Sequence, residues 1–157
     1  MIRTSDELDE VRRTSRALVR RRAKAAAVAA AVPVPGLDIA VDAALLIKVI
    51  PQISRSFGLT PEQLDKLDSP RRMAAYKVIR KVGAKFAGTV ITAELVARTL
   101  ATIGLDLAIE SVAKYLPFAG AVVSSVISYQ VFRRIADAHI EECVKIVQAM
   151  MEEDAPC

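Results

Sequence analysis

The sequence predicts an all-α protein, a compact bundle of five to six helices containing two apolar helical hairpins. Three observations point there. Apolar residues recur at three- and four-residue spacing, and no run alternates convincingly as a strand would. Proline and glycine cluster at corners, notably Pro33-Val34-Pro35-Gly36 and Pro117-Phe118-Ala119-Gly120, each interrupting one apolar helical run and restarting another. The composition is 53% apolar but only 4% aromatic, without tryptophan. Such a core is made of Ala, Val, Ile and Leu, whose small side chains let helix backbones approach closely.

The first helix is expected to start at Thr4 or Ser5 and run to about Val32. Asp6 and Glu7 suit its first turn, next to the positive end of the helix dipole. Leu8, Val11 and Leu18 give it a sparse apolar stripe before an alanine-rich run takes over. The Pro33 to Gly36 corner ends it, because proline cannot donate the backbone hydrogen bond and pushes its predecessor out of the helical region. A second helix is expected over about Leu37 to Phe57, with a kink or break at Pro51 and Gly58 at its end.

Thr60-Pro61-Glu62-Gln63 reads as a capping box with proline at the first helical position, and Ser69-Pro70 repeats the cap-then-proline signal. From Pro70 the pattern predicts a long, buried central helix reaching towards Gly104, with Gly83 and Gly88 as places where it bends or is interrupted. Leu105 to Leu116 forms a shorter helix, Pro117 starts a turn, and the last helix covers Gly120 to about Glu153.

A chain of 157 residues suits a single helical domain, 1–157, able to bury a core without staples. Cys143 and Cys157 have neither the number nor the spacing of a disulfide framework or a structural zinc site, so a reducing, cytoplasmic setting is expected. Mean hydropathy is +0.32. The net charge of +4 is localised: residues 1–24 hold eight Arg or Lys against four Asp or Glu, and the rest is balanced at fourteen against fourteen. Within that basic start of helix 1, Arg12, Arg16, Arg20 and Lys24 recur every fourth residue, with Arg13, Arg21 and Arg22 beside them. The four acids ahead of this row argue against a signal peptide or a mitochondrial presequence.

Candidate sites are few. Asp38 and Asp42 are one helical turn apart and could share a proton or bind a metal, but no further ligands accompany them, and helix-start and packing roles are the expected ones. His139 and Cys143 share the same spacing, on a line with Phe132, Ile135 and Val147. They read as part of the apolar face of the last helix and not as zinc ligands. Arg133, Asp137, Glu141 and Lys145 make the opposite row, set for pairs four residues apart. Glu94 and Arg98 are expected to pair on a helix surface or between helices, and Asp106, Glu110 and Lys114 line up one helix later. Ser124, Ser125 and Ser128 lack a Gly-x-Ser-x-Gly context and read as close-packing residues. No catalytic residue, metal or cofactor is expected. The residues from Tyr115 to Phe132 form a charge-free run of eighteen, at the lower limit for crossing a membrane. A helix buried among neighbours explains the same run and is the preferred reading.

Pro33-Val34-Pro35-Gly36-Leu37-Asp38-Ile39-Ala40, followed by Ala43 to Ile47 and Phe57-Gly58-Leu59, resembles the apolar hairpin of the EcsC-like helical proteins. The segment from Tyr115 to Tyr129 looks like the corresponding part of the helical domains of immunity-related GTPases and similar bacterial GTPases. The resemblance implies an all-helical module on or near membranes, beside a nucleotide-binding domain that here would have to be a separate chain. This sequence has no Gly-rich phosphate loop ending in Gly-Lys-Ser or Gly-Lys-Thr, so nucleotide hydrolysis does not carry over.

Together these readings predict a non-catalytic module that associates peripherally with membranes, at the inner face and from the cytoplasm, assisting a separate GTPase or transporter. Arg12, Arg13, Arg16, Arg20, Arg21 and Lys24 would meet headgroups or another anionic partner, and the hairpin corners at Pro33, Pro35, Gly36, Pro117 and Gly120 would present the apolar contact. The alternative is a soluble adaptor or self-assembling domain, a homo-oligomer or a binder of protein partners, without membrane contact. Nucleic acid ranks below both, because the basic helix offers no aromatic platform.

Overall fold

The computed structural model describes the backbone of residues 2–30, 37–96, 98–99 and 121–153, and their side chains apart from residues 26, 27, 29, 30, 37–43 and 121–128. It is all-helical: five helices and no strand occur among the described residues. They are α1 (Ser5–Ala30), α2 (Leu37–Phe57), α3 (Pro61–Leu64), α4 (Ser69–Val82) and α5 (Ala121–Glu153), with further helical backbone at 93–96 and 98–99. Both hairpin corners, Pro33 to Gly36 and Pro117 to Gly120, lie outside the described residues, as do Asp106, Glu110, Lys114 and the proposed helix from Leu105 to Leu116.

The chain gathers into two compact units, one of Met1–Ala17, Ile50–Ile91 and Ala138–Cys157, the other of Leu18–Val49 and Thr92–Asp137. In the first, α1 starts where its polar residues dictate. The Thr4 hydroxyl accepts the Glu7 N–H at 3.2 Å, and the Glu7 carboxylate accepts the Arg3 N–H at 2.8 Å, so groups left over by the first turn are satisfied. The helix α2 continues through Pro51 without a break. It stops at Gly58, whose φ of 75° only glycine adopts without strain. There the N–H of Leu59 reaches back to the Ser54 carbonyl at 2.8 Å and that of Gly58 to Arg55 at 3.2 Å, the double bond of a Schellman closure. The capping box of α3 is as expected: Gln63 N–H donates to the Thr60 hydroxyl at 3.4 Å and Thr60 N–H to Gln63 Oε1 at 3.2 Å.

Two expectations for the next segment need correcting. The cap of α4 is Asp68, one residue ahead of Ser69, because a carboxylate at that position accepts the Arg71 N–H at 3.0 Å. Pro70 then lies within the first turn. Nor does one long helix reach towards Gly104. Gly83, at φ 71°, closes α4 with bonds from its own N–H to Arg80 and from Ala84 N–H to Ile79, and residues 83–92 are non-helical. Gly88 holds that segment down. Its φ is 66°, its N–H donates to the Leu59 carbonyl at 2.9 Å, and a Cβ there would come within 3.1–3.2 Å of Ile79, Leu64 and Tyr76.

The core of this unit is aliphatic with two aromatics. Leu8, Ile53, Phe57, Leu59, Leu64, Val78, Phe86, Ile140 and Ile146 are buried, each contributing about 1.5–3 kcal/mol relative to exposure. In the second unit Val19 and Ala23 of α1, Leu46 and Val49 of α2, Val96, and Val131, Phe132, Ile135 and Ala136 of α5 are buried. Thr92 caps its helical stretch, accepting the Leu95 N–H at 3.2 Å. Glu94 and Arg98 form the expected surface pair at 2.6 Å. Among the described residues no helix is long and apolar enough to cross a membrane; the first six residues of the charge-free run from Tyr115 lie outside them.

Candidate interaction face on the first helix

The basic row of α1 is where sequence and structure meet most informatively. A helix turns about 100° per residue, so a four-residue step overshoots a full turn by about 40° and a row of such steps winds round the axis. The buried residues Leu8, Ser15, Val19 and Ala23 fall within about 80° of one another on that wheel. Arg12 sits inside that arc, Arg16 at its margin, and Arg20 and Lys24 progressively further round.

Their partners follow this winding. The Arg12 guanidinium makes two bonds to Glu141 of α5, Nε to Oε1 at 3.2 Å and Nη2 to Oε2 at 2.6 Å, and Arg16 Nη2 adds a third to Oε1 at 2.7 Å. All three side chains are about one third to one half exposed. Partial burial pushes the Glu141 carboxyl up, and the bonds and charges of Arg12 and Arg16 outweigh it, holding the group below its ordinary range. Arg13 pairs with Glu10 at 2.6 Å on the open surface. The opposite row proposed for α5 is therefore divided: Arg133 and Asp137 do pair, at 3.0 Å, but Glu141 takes the arginines of α1.

Arg20, Arg21, Arg22 and Lys24 differ. All four are exposed, and none makes an ion pair among the described residues. Arg20, Arg21, Lys24 and Val28 lie within about 100° of arc, and Val28 is 74% exposed. A cluster of cations thus runs into an exposed apolar side chain on one face of one helix.

The His139 and Cys143 pair is part of the interior, as expected. His139 is 1% exposed. Its Nε2 lies 2.9 Å from the Ser54 hydroxyl, its ring meets Phe86 edge-on with centroids 5.5 Å apart, and the Cys143 sulfur is 3.6 Å from Nε2. Glu142 stands 3.8 Å from Nδ1 and accepts the Lys85 N–H at 3.3 Å. Serine, histidine and carboxylate in this order have the composition of a nucleophile, base and orienting group, but Ser54 and His139 are buried and line neither described groove of this unit. Burial, and secondarily the Glu142 charge, push the Cys143 thiol far up, so it stays protonated and unreactive. The arrangement ties α2, the segment after α4 and α5 together through satisfied polar groups.

No family model, curated protein or solved structure matches the chain. Function must be argued from the residues. Among the described residues no group of three or more His, Cys, Asp or Glu could hold a metal ion. Asp38 and Asp42 lie on α2, but their side chains, like those of Ser124, Ser125 and Ser128, lie outside the described ones. Pro33, Pro35, Gly36, Pro117 and Gly120 are likewise outside.

One set of charges, most of them exposed, escapes a whole-chain balance. Between Asp68 and Glu94 the sequence has no acid, yet it holds Arg71, Arg72, Lys77, Arg80, Lys81 and Lys85. Five of these belong to α4. A sliding window of about 15 residues would have found them; the even count beyond residue 24 concealed them.

Proposed function

We propose that this chain is a non-catalytic helical module that associates peripherally with membranes through the exposed half of the α1 basic row. The observation that carries this reading is the cluster of Arg20, Arg21 and Lys24, exposed and without ion pairs among the described residues, beside the exposed Val28 on one face of α1. Cations near an anionic leaflet contribute about 1 kcal/mol each, and an apolar side chain within reach adds the transfer of its own surface out of water. The inner face of a membrane, reached from the cytoplasm, supplies such a leaflet. The EcsC-like resemblance adds a class of protein partner there, a separate GTPase or transporter.

Flotation tests this reading. The chain is expected to float with vesicles containing phosphatidylserine at low salt and to stay behind with purely zwitterionic vesicles; staying in the soluble fraction with both defeats it.

A second reading rests on a groove of about 640 Å³ whose lining includes Ile2, Asp6, Glu7, Glu10, Val11 and Phe57, together with Arg55 and Gln63. Its acidic and apolar lining favours an adaptor or self-assembling domain whose partner presents a basic, amphipathic segment. Light scattering after size exclusion separates the two: concentration-dependent oligomers without vesicle binding favour the groove.

A further inference from the structure

We infer that α4 presents a second, independent face for anionic lipid, formed by Arg72, Met73, Tyr76, Lys77 and Arg80. This rests on the membrane reading and assigns it a surface on an element outside the α1 row. On the helical wheel these five residues cover about 140°, and the buried Ala75, Val78 and Ile79 all fall outside that arc. These five residues, together with Ala74 and Glu153, line a groove of about 650 Å³.

Three properties select a lipid surface as the occupant. The first is charge: Arg72, Lys77 and Arg80 make no ion pair among the described residues, and α4 holds no acid. The second is Met73, 72% exposed between the cations. A phosphate backbone or an acidic peptide offers a thioether side chain little, whereas the headgroup and acyl boundary removes it from water while the guanidinium and ammonium groups remain among phosphates. The third is Tyr76, whose amphipathic ring suits the headgroup level.

The test titrates the full chain with vesicles of phosphatidylcholine alone and of phosphatidylcholine doped with phosphatidylserine, at low salt. At about fivefold per charge, the triple variant R72Q/K77Q/R80Q is expected to bind the anionic vesicles on the order of a hundredfold more weakly. M73S is expected to lose about fivefold through lost apolar transfer, and R72K/R80K, which keeps the charge, to stay within about threefold of the parent. Unchanged helicity by circular dichroism and an unchanged melting point show that the variants are folded. Parent binding that the triple variant leaves within about threefold overturns the α4 face and leaves the α1 reading standing. A parent chain that ignores anionic vesicles, or that binds only a soluble polyanion, overturns both.

Discussion

The two halves of the α1 basic row use the same residue types at the same spacing and meet different fates. Arg12 and Arg16 converge on one carboxylate, Glu141, that is 129 and 125 residues away in sequence, whereas Arg20, Arg21, Arg22 and Lys24 are exposed with no such partner among the described residues. The cause is the winding of a four-residue repeat on a 3.6-residue helix. Each step carries the row about 40° away from the buried face, so its start is drawn into the tertiary structure and its end is left to solvent. A periodic row of charge therefore does not announce a continuous strip: some of its members are tied into the fold and others are left exposed.

That contrast can be broken or sharpened by measurement. The largest expected effect is on binding. Raising salt from about 0.1 M to about 1 M shortens the screening length from about 10 Å to about 3 Å, and vesicle affinity should fall by more than about a hundredfold if free cations drive it. Binding that survives high salt would instead point to apolar insertion.

A smaller effect is expected on stability. Arg12→Gln with Arg16→Gln should cost about 1 kcal/mol in urea unfolding, because it leaves the partly buried Glu141 without charged partners; neutralising Arg20 and Lys24 should change stability by less than about 0.5 kcal/mol. The Glu141 linkage has a definite sign. Its folded pKa lies below the ordinary 4.5, so the clamp contributes fully above that value and its contribution is lost as pH falls through the lower folded value. With more than a third of the side chain exposed, the loss should amount to at most about 1 kcal/mol after solvent screening. It should be absent from an Glu141→Gln chain compared across the same acid range. The smallest effect belongs to Arg13→Gln, whose pair with Glu10 is open to water: less than about 0.5 kcal/mol by the same unfolding measurement.

Much of the fold was legible because its signals are local. Thr4, the Thr60 and Gln63 capping box, and Gly58 all act within a few residues, and each terminates or starts a helix as its chemistry requires. The face of α5 running through Phe132, Ile135, His139, Cys143 and Val147 followed from periodicity alone. Competing local signals were harder. Ser69-Pro70 has the look of a cap and first residue, but Asp68 is the better acceptor and took the position. Gly83 could sit inside a helix or close one, and the choice depends on whether Ala84 and the chain after it can pack back, as Gly88 does against Leu59.

The candidate face on α1 was half legible. The row from Arg12 to Lys24 is visible in the sequence, but its division depends on Glu141, and a contact across more than 120 residues leaves no trace in local spacing. The sequence had instead set Glu141 among pairs along α5. The basic face of α4 was missed for a different reason: six cations without an acid between Asp68 and Glu94 vanish when averaged with the acidic residues elsewhere.

The most direct measurement is a parallel vesicle titration of two double variants that each remove two positive charges from α1, Arg12→Gln with Arg16→Gln and Arg20→Gln with Lys24→Gln, against the parent chain. At about 1 kcal/mol per cation, the second should weaken binding by roughly 30-fold and the first by less than about threefold. Equal losses would contradict the division of the row into a structural half and a free half.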